Sequence, residues 1–544
     1  MSKYVIGLDY GTLSARALLV DVATGRELAE AEFVYPHAVL GQDDFPGASI
    51  GADAALQDPK DYLDALSFTL HKVLEDSGID AADVLGLGID FTAATILAVD
   101  GDGTPLCFQE KYRNNPHAYA KLWKHHGAQW EADEMTRIAT ERKESWLSNC
   151  GGKVSSEWTF PKIWETLRKA PEVYHDAARF VEAADWLVWM ITGQETRNSC
   201  CAGFKAHWDR ESGYPSNDYF AAVDAELANL IGTKIPHAVI PTGTKAGEVS
   251  NTGSQRTGLL PGTAVAAPII DGHAGIPGAA VVTPGKLMLI IGTSAACFVL
   301  DSEDRKMTGI CGCVSDGVIP GYYAYEAGQS CVGDAFGWFV ENCVPEKYAL
   351  EAKKRNISLF QLLDEKAAAL EVGKNKLVVL DWWNGCRSPL ADYDLSGMIL
   401  GLTLKTKPED IYRAMIESTA FGARAIMERY RESGIPIHEA YAAGGICRRN
   451  PFLMQLYADI LGIEIRVCTS SQATARGSAV FAGLACGYYD SMEASAAVLA
   501  DKCEIRYTPN PENTRRYLPI YEEYKALCQY FGEETNVMKR LKAL

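Results

Sequence analysis

Tyr4-Val5-Ile6-Gly7-Leu8-Asp9-Tyr10-Gly11-Thr12-Leu13-Ser14, continued by Ala15-Arg16-Ala17-Leu18-Leu19-Val20-Asp21, has a counterpart about half a chain later. The counterpart is Leu287-Met288-Leu289-Ile290-Ile291-Gly292-Thr293-Ser294, continued by Ala295-Ala296-Cys297-Phe298-Val299-Leu300-Asp301. Each copy is an apolar run, a Gly-Thr turn with a nearby Ser, and a second apolar run ending in an acid. That pattern predicts a β-hairpin with glycine and hydroxyl groups at its tip. Backbone N–H groups converging on such a turn form an anion site. Two tips facing one another would grip the phosphates of one nucleotide between two halves of a protein. Gly11, Thr12 and Ser14 are therefore candidate phosphate ligands in the first half, and Gly292, Thr293 and Ser294 in the second.

Working outward, Leu63, Leu66, Leu70 and Leu74 recur at helical spacing and predict a helix over Pro59–Ser77. Val84–Asp90 and Ile96–Asp100 read as a further pair of strands. Residues 111–250 are more helical, rich in Trp and His, and suggest an insertion on a simpler core. Thr283-Pro284-Gly285 suggests a boundary, giving domains over residues 1–283 and 284–544. Duplicated hairpin sheets flanked by helices indicate an α/β fold.

With 544 residues, of which 47% are hydrophobic and 22% charged, the chain has the composition of a globular protein with two or more well-buried domains. Its 52 basic and 70 acidic residues give a formal charge of −18. That balance argues against nucleic-acid and anionic-membrane partners. The 15 cysteines show no paired CxxC zinc spacing. The N-terminal residues lead straight into strand-like sequence without a signal-peptide pattern, so a cytoplasmic location with reduced thiols is expected. There is no GxxxxGK[ST] phosphate loop, no protein-kinase HRD and DFG pair, and no HExxH.

Asp9, between a buried strand and a Gly-Thr turn, is placed to organise Mg²⁺ through water beside the phosphates, or else to cap its own turn. Asp271 in Asp271-Gly272-His273-Ala274-Gly275 follows an apolar run. Such a carboxylate either accepts a hydroxyl proton in a cleft or caps a helix. Ala440 through Gly445 reads as a buried strand and a Gly-Gly turn before a helix start. Paired glycines there let a flat base or ribose lie on backbone. The small-residue helix from Ala479 to Ala485 reads as core packing. Lys205, Glu326 and the Thr92-Ala93-Ala94 loop are candidates for a polar substrate, although the two charges also fit a solvated surface.

In this order the motifs resemble the FGGY carbohydrate kinases, relatives of actin, hexokinase and the heat-shock chaperone ATPases. Asp9-Tyr10-Gly11-Thr12 looks like the first phosphate motif and Gly292-Thr293-Ser294 the second. Gly444-Gly445 with Asn450 looks like the adenosine motif, and the Asp271 segment like the one holding the catalytic Asp. Pro161-Lys162-Ile163-Trp164 and Arg387-Ser388-Pro389 match further family phrases. The resemblance implies two actin-like (ribonuclease H-like) domains with a nucleotide cleft between them, ATP and Mg²⁺ as cofactors, and a small-molecule sugar as partner, and it leaves a homodimer open. Gly88 through Ala93, Ser155 through Trp158, Ala202 through Lys205 and Tyr325 through Ser330 resemble the members that phosphorylate L-ribulose in arabinose catabolism. By that resemblance Ala93, Lys205, Asp271 and Glu326 line the sugar pocket, and Asp271 is the catalytic base. A kinase for D-ribulose, xylulose or a polyol is the alternative, and an ATPase like actin or the chaperones a more distant one. Arg476 departs from the family, where Leu commonly precedes Gly, and is expected to alter packing near the nucleotide.

Overall fold

The computed structural model describes residues 2–544, and its framework is two mixed sheets built on one plan. In the first, Tyr4–Tyr10, Ser14–Asp21 and Glu27–Val34 form an antiparallel meander. Tyr4–Tyr10 then pairs in parallel with Val84–Phe91, which pairs in parallel with Ala264–Ala266 and Ile269–Ile270. In the second, Gly285–Ile291, Ala295–Asp301 and Tyr323–Gln329 form the meander. Gly285–Ile291 pairs in parallel with Ile437–Ala443, and that strand with Ile465–Val467. Parallel neighbours need a crossover, and a helix supplies it each time. Pro59–Ser77 does so in the first half, capped by Asp58 on Lys60 N–H and stopped by Gly78 at φ 64°. Pro408–Glu432 does so in the second.

The expected helix over Pro59–Ser77 forms between those residues. The expected pairing of Val84–Asp90 with Ile96–Asp100 does not. Both edges of Val84–Phe91 are already occupied, by Tyr4–Tyr10 and by Ala264–Ile270. Ala94, at φ 48°, turns the chain away. Ile96–Val99 instead joins a separate four-stranded sheet against Arg179–Glu182 and Ala120–Lys121. That sheet and the helices around it form the insertion and wall one side of the cleft.

Between the main sheets lie two helices made largely of small residues, Asp271–Gly278 and Ala473–Ala485. Val5, Leu18 and Val20 from one sheet and Met288, Phe298 and Leu300 from the other share one buried core with them. Strand alternation puts Val5, Gly7 and Asp9 on one face, and Gly86, Gly88 and Asp90 on the same face of the neighbouring strand. The Ala473–Ala485 helix rests on those glycines. A Cβ at Gly7 would lie 1.8 Å from the Ala475 carbonyl oxygen, and one at Gly88 1.9 Å from that of Ser478. The two helices cross equally closely, since a Cβ at Gly477 would meet Ala274 O at 1.8 Å. The helix therefore is core packing, as its composition suggests, but it also brings hydroxyl groups down onto the two aspartates.

Candidate active site

Asp9, Asp90 and Asp271 stand at the carboxyl ends of adjacent parallel strands, with Asp9 opposite Asp90 and Ile269 opposite Asp90 on its other side. Parallel sheets place ligands at this end. Asp9 is buried, and its Oδ2 accepts a hydrogen bond from Thr474 Oγ1 at 2.9 Å. Asp90 is fully buried and accepts from Ser478 Oγ at 2.6 Å. Burial, then the charge of Asp9, holds the Asp90 carboxyl well above the usual range. Thr474 and Ser478 are one helical turn apart, so a single helix face serves both acids. Sequence reading missed these hydroxyls; their i, i+4 spacing on a helix of mostly small residues was the available signal.

Asp271 is the first residue of its helix, and its Oδ1 accepts from Gly272 N–H at 2.6 Å. Burial, reinforced by Asp9 and opposed by Gly272 N–H and Lys205, pushes its pKa up to about 7. Its carboxyl opens into a cleft of about 320 Å³ together with Lys205, Ala93, Thr12 and Ser294. Both Gly-Thr turns, the first lobe's acid and the insertion's lysine therefore border one cavity. Trp123, Glu157, Trp158 and Arg387 complete its walls, and none of them was singled out in sequence as a ligand. They come from segments far apart in the chain, so no local pattern could collect them.

Glu326 lies on the Tyr323–Gln329 strand of the second sheet, paired with Phe298. Burial tends to raise its pKa, but Lys205, then His273 and Arg387, outweigh that and hold it at about 2. His273, two residues after Asp271, faces Glu326 at 3.4 Å. Its ring sits between Phe204 and Phe298, at 4.6 and 4.8 Å between centroids. Burial pushes its pKa down, opposed by the Glu326 carboxylate beside it. Lys162 braces the opposite wall from behind. Fully buried, it donates to Ala94 O at 2.7 Å and Leu122 O at 2.6 Å, fixing the Ala93–Ala94 loop and the approach to Trp123.

The turn residues divide. Gly11 N–H closes its turn on Ser14 O at 3.0 Å, and Thr12 Oγ1 accepts from Trp123 Nε1 at 3.0 Å. The Ser14 hydroxyl donates to Glu32 at 2.9 Å, across the adjacent strand pair. Gly292 and Thr293 accept through their carbonyls from Gly333 and Val332 N–H at 3.0 and 2.7 Å. Gly444, at φ 118° and ψ 160°, occupies backbone space that only glycine enters readily. A Cβ there would lie 2.2 Å from Ile291 O, so the Gly444–Gly445 turn lies beside the second phosphate turn. Asn450 caps the Pro451–Leu461 helix through Leu453 N–H at 2.9 Å and donates to Asp364. Arg476 ties its helix to the third strand of the first sheet through Glu27 at 2.7 Å and to the end of the Met492–Leu499 helix through Leu499 O at 2.7 Å.

Among the described residues no cluster of three or more His, Cys, Asp or Glu could hold a metal by protein ligands alone. Asp9 offers a single carboxylate whose Oδ2 already accepts from Thr474, the kind of donor that a hydrated Mg²⁺ ion takes alongside phosphate oxygens and retained waters. Among the described residues no helix is long and apolar enough to cross a membrane.

Residues 4–278 match the FGGY family of carbohydrate kinases, N-terminal domain, and residues 287–486 match its C-terminal domain. The chain is 48% identical to the ribulokinase of Bacillus licheniformis over 98% of this chain and 97% of that one. It is 46% identical to the ribulokinase of Halalkalibacterium halodurans, with 100% and 98% covered. Among solved structures, xylulose kinase from Rhodospirillum rubrum shares the fold at a TM-score of 0.78 and 21% identity, covering 97% of this chain and 98% of that one. Gluconate kinase from Lactobacillus acidophilus does so at 0.79 and 17%, covering 98% and 99%.

Proposed function

This chain belongs to the FGGY family of carbohydrate kinases, with its two-domain actin-like fold, and from that premise we propose how its cleft transfers phosphate. It is an ATP-dependent kinase of ribulose. The finer reading is that the sugar is L-ribulose, phosphorylated on its terminal hydroxyl to L-ribulose 5-phosphate for arabinose catabolism.

The observation that carries the mechanism is the meeting of Asp271, Lys205, Thr12 and Ser294 around one cleft. Asp271 accepts the proton of the attacking hydroxyl. A base whose pKa lies near the working pH suits that transfer. Gly11, Thr12, Gly292, Thr293 and Ser294 receive the phosphates, with the Gly444–Gly445 turn against the adenosine and Asn450 holding the helix that follows. Asp9, oriented by Thr474, is the residue that would hold hydrated Mg²⁺, which when bound neutralises phosphate charge. Ala93, Lys205 and Glu326 surround the sugar. Charged hydrogen bonds to its hydroxyls discriminate more sharply than apolar shape. Because Glu326 comes from the second sheet and Lys205 from the insertion, the pocket is complete only when the lobes, divided near residue 283, are together.

The test is a panel of L- and D-ribulose, L- and D-xylulose and pentitols, read by sugar-dependent ADP release. L-ribulose should give the highest kcat/KM. A preference for another sugar by tenfold or more would overturn the assignment of stereochemistry.

A further inference from the structure

Arg387 stands on the loop between the Val378–Leu380 and Met398–Leu400 strands of the second lobe. The loop is closed on itself by reciprocal backbone bonds of 2.8 Å between Cys386 and Asp392. It is also anchored to the strand that carries Glu326, because Ser388 Oγ accepts from Gly328 N–H at 3.3 Å. From that braced position the side chain reaches the cleft shared by Asp271 and Lys205.

Its surroundings are unusual for an arginine. Among the described residues no carboxylate lies within the 4.0 Å that defines an ion pair with its guanidinium. The groups that act on it are the Cys311 thiol and the Tyr393 hydroxyl first, then Glu326 and Glu157 as neighbouring charges. Lys205, by contrast, is felt by both Asp271 and Glu326. Asp271 enters the cleft from the end of a first-lobe strand, whereas Arg387 enters it from a second-lobe loop bonded to the strand that carries Glu326. Arg387 and the acid that would take the hydroxyl proton therefore face one cleft from different lobes. The arginine brings to it a planar fork of N–H donors with no acceptor capacity.

Resting on the ribulose kinase reading above, we propose that Arg387 is a sugar-binding residue delivered by the second lobe. Its guanidinium donates to the C1 hydroxyl and C2 carbonyl oxygens of the ketopentose. A carbonyl oxygen only accepts and a hydroxyl oxygen also accepts, so the two adjacent oxygens match a bidentate donor. The consequence is that sugar occupancy and lobe closure are linked through one side chain.

The experiment compares wild type with Arg387→Gln and Arg387→Lys on L-ribulose and on its 1-deoxy analogue. Arg387→Gln should raise the sugar KM roughly 10- to 100-fold, the effect of losing hydrogen bonds to a charged donor. The ATP KM should stay within about twofold. Arg387→Lys, which keeps the charge without the fork, should give an intermediate sugar KM. Removing the C1 hydroxyl should cost wild type severalfold and cost Arg387→Gln little, because the two changes delete one contact. Additive losses, an unchanged sugar KM, or sugar and ATP KM rising together would each overturn the assignment. If Arg387→Gln does not fold, the same cycle is read on Arg387→Lys. Absence of ribulose turnover in wild type would instead sink the kinase reading itself, so the two failures are distinguishable.

Discussion

Gly7→Ala tests the seating of the Ala473–Ala485 helix on which the active site depends. The new Cβ would lie 1.8 Å from Ala475 O. Side-chain carbons are essentially never closer than 3.0 Å to such an atom, so the surfaces must part by at least the difference, 3.0 − 1.8 = 1.2 Å. Thr474 precedes Ala475 and reaches Asp9 at 2.9 Å. If the helix recedes along that line the bond stretches to 2.9 + 1.2 = 4.1 Å, beyond hydrogen-bond reach. Overpacking of this kind costs roughly 1–3 kcal/mol, less the ~0.5–1 kcal/mol that alanine gains over glycine inside a strand. A loss of a few degrees in the first thermal transition follows. Loss of one charge-assisted hydrogen bond, about 1.5–3 kcal/mol, should lower kcat roughly 10- to 100-fold. Differential scanning fluorimetry and ADP release measure the two effects. Gly337→Ala is the control, because its Cβ would have no atom within 4 Å, and it should leave both readings near wild type. Wild-type melting and turnover in Gly7→Ala would refute the close seating of helix on sheet.

Thr474→Val removes only the hydroxyl. It should lower kcat about tenfold or more and raise the Mg²⁺ concentration needed for half-maximal rate, with thermal stability little changed; an unaltered Mg²⁺ requirement would detach Thr474 from Asp9's role. Asp271→Asn should keep ATP binding and cut turnover roughly 10²–10⁴-fold, measured by single-turnover phosphate transfer. With Asp271 as the proposed base, active when ionised, and its pKa raised to about 7, wild-type kcat/KM for sugar should fall as pH drops through that value, and Asp271→Asn should lose the acid limb. The same raised value means that Asp271 favours the fold fully only below its unfolded pKa of about 3.9, an advantage lost as pH rises through about 7. Asp271→Asn should therefore melt above wild type at pH 8 and alike below pH 4. Lys205→Met should raise the sugar KM far more than the ATP KM; equal changes in steady-state kinetics would remove it from the sugar pocket.

The duplicated hairpins were legible because strand alternation and a Gly-Thr turn are local properties, and the chain repeats them. The Pro59–Ser77 helix was legible for the same reason, from leucines at helical spacing. Pairing was less so: Ile96–Val99 was assigned to the nearest strand in sequence, and only the occupied edges of Val84–Phe91 exclude it. Asp9, Asp271 and the glycine turns announce themselves through their flanks. Lys205 and Glu326 look like surface charges until tertiary structure half-buries both, Lys205 on the wall of the cleft and Glu326 close enough to feel its charge.

By itself the sequence determined two related α/β halves with a phosphate turn each, since hydrophobic period and turn chemistry are written residue by residue. Only the tertiary structure decided which groups meet: Thr474 with Asp9, Lys162 beneath the Ala94 loop, Arg387 opposite Asp271. Those meetings join residues tens to hundreds of positions apart, and they are fixed by backbone approach at glycine and by strand register. Neither quantity is visible in the local order of amino acids.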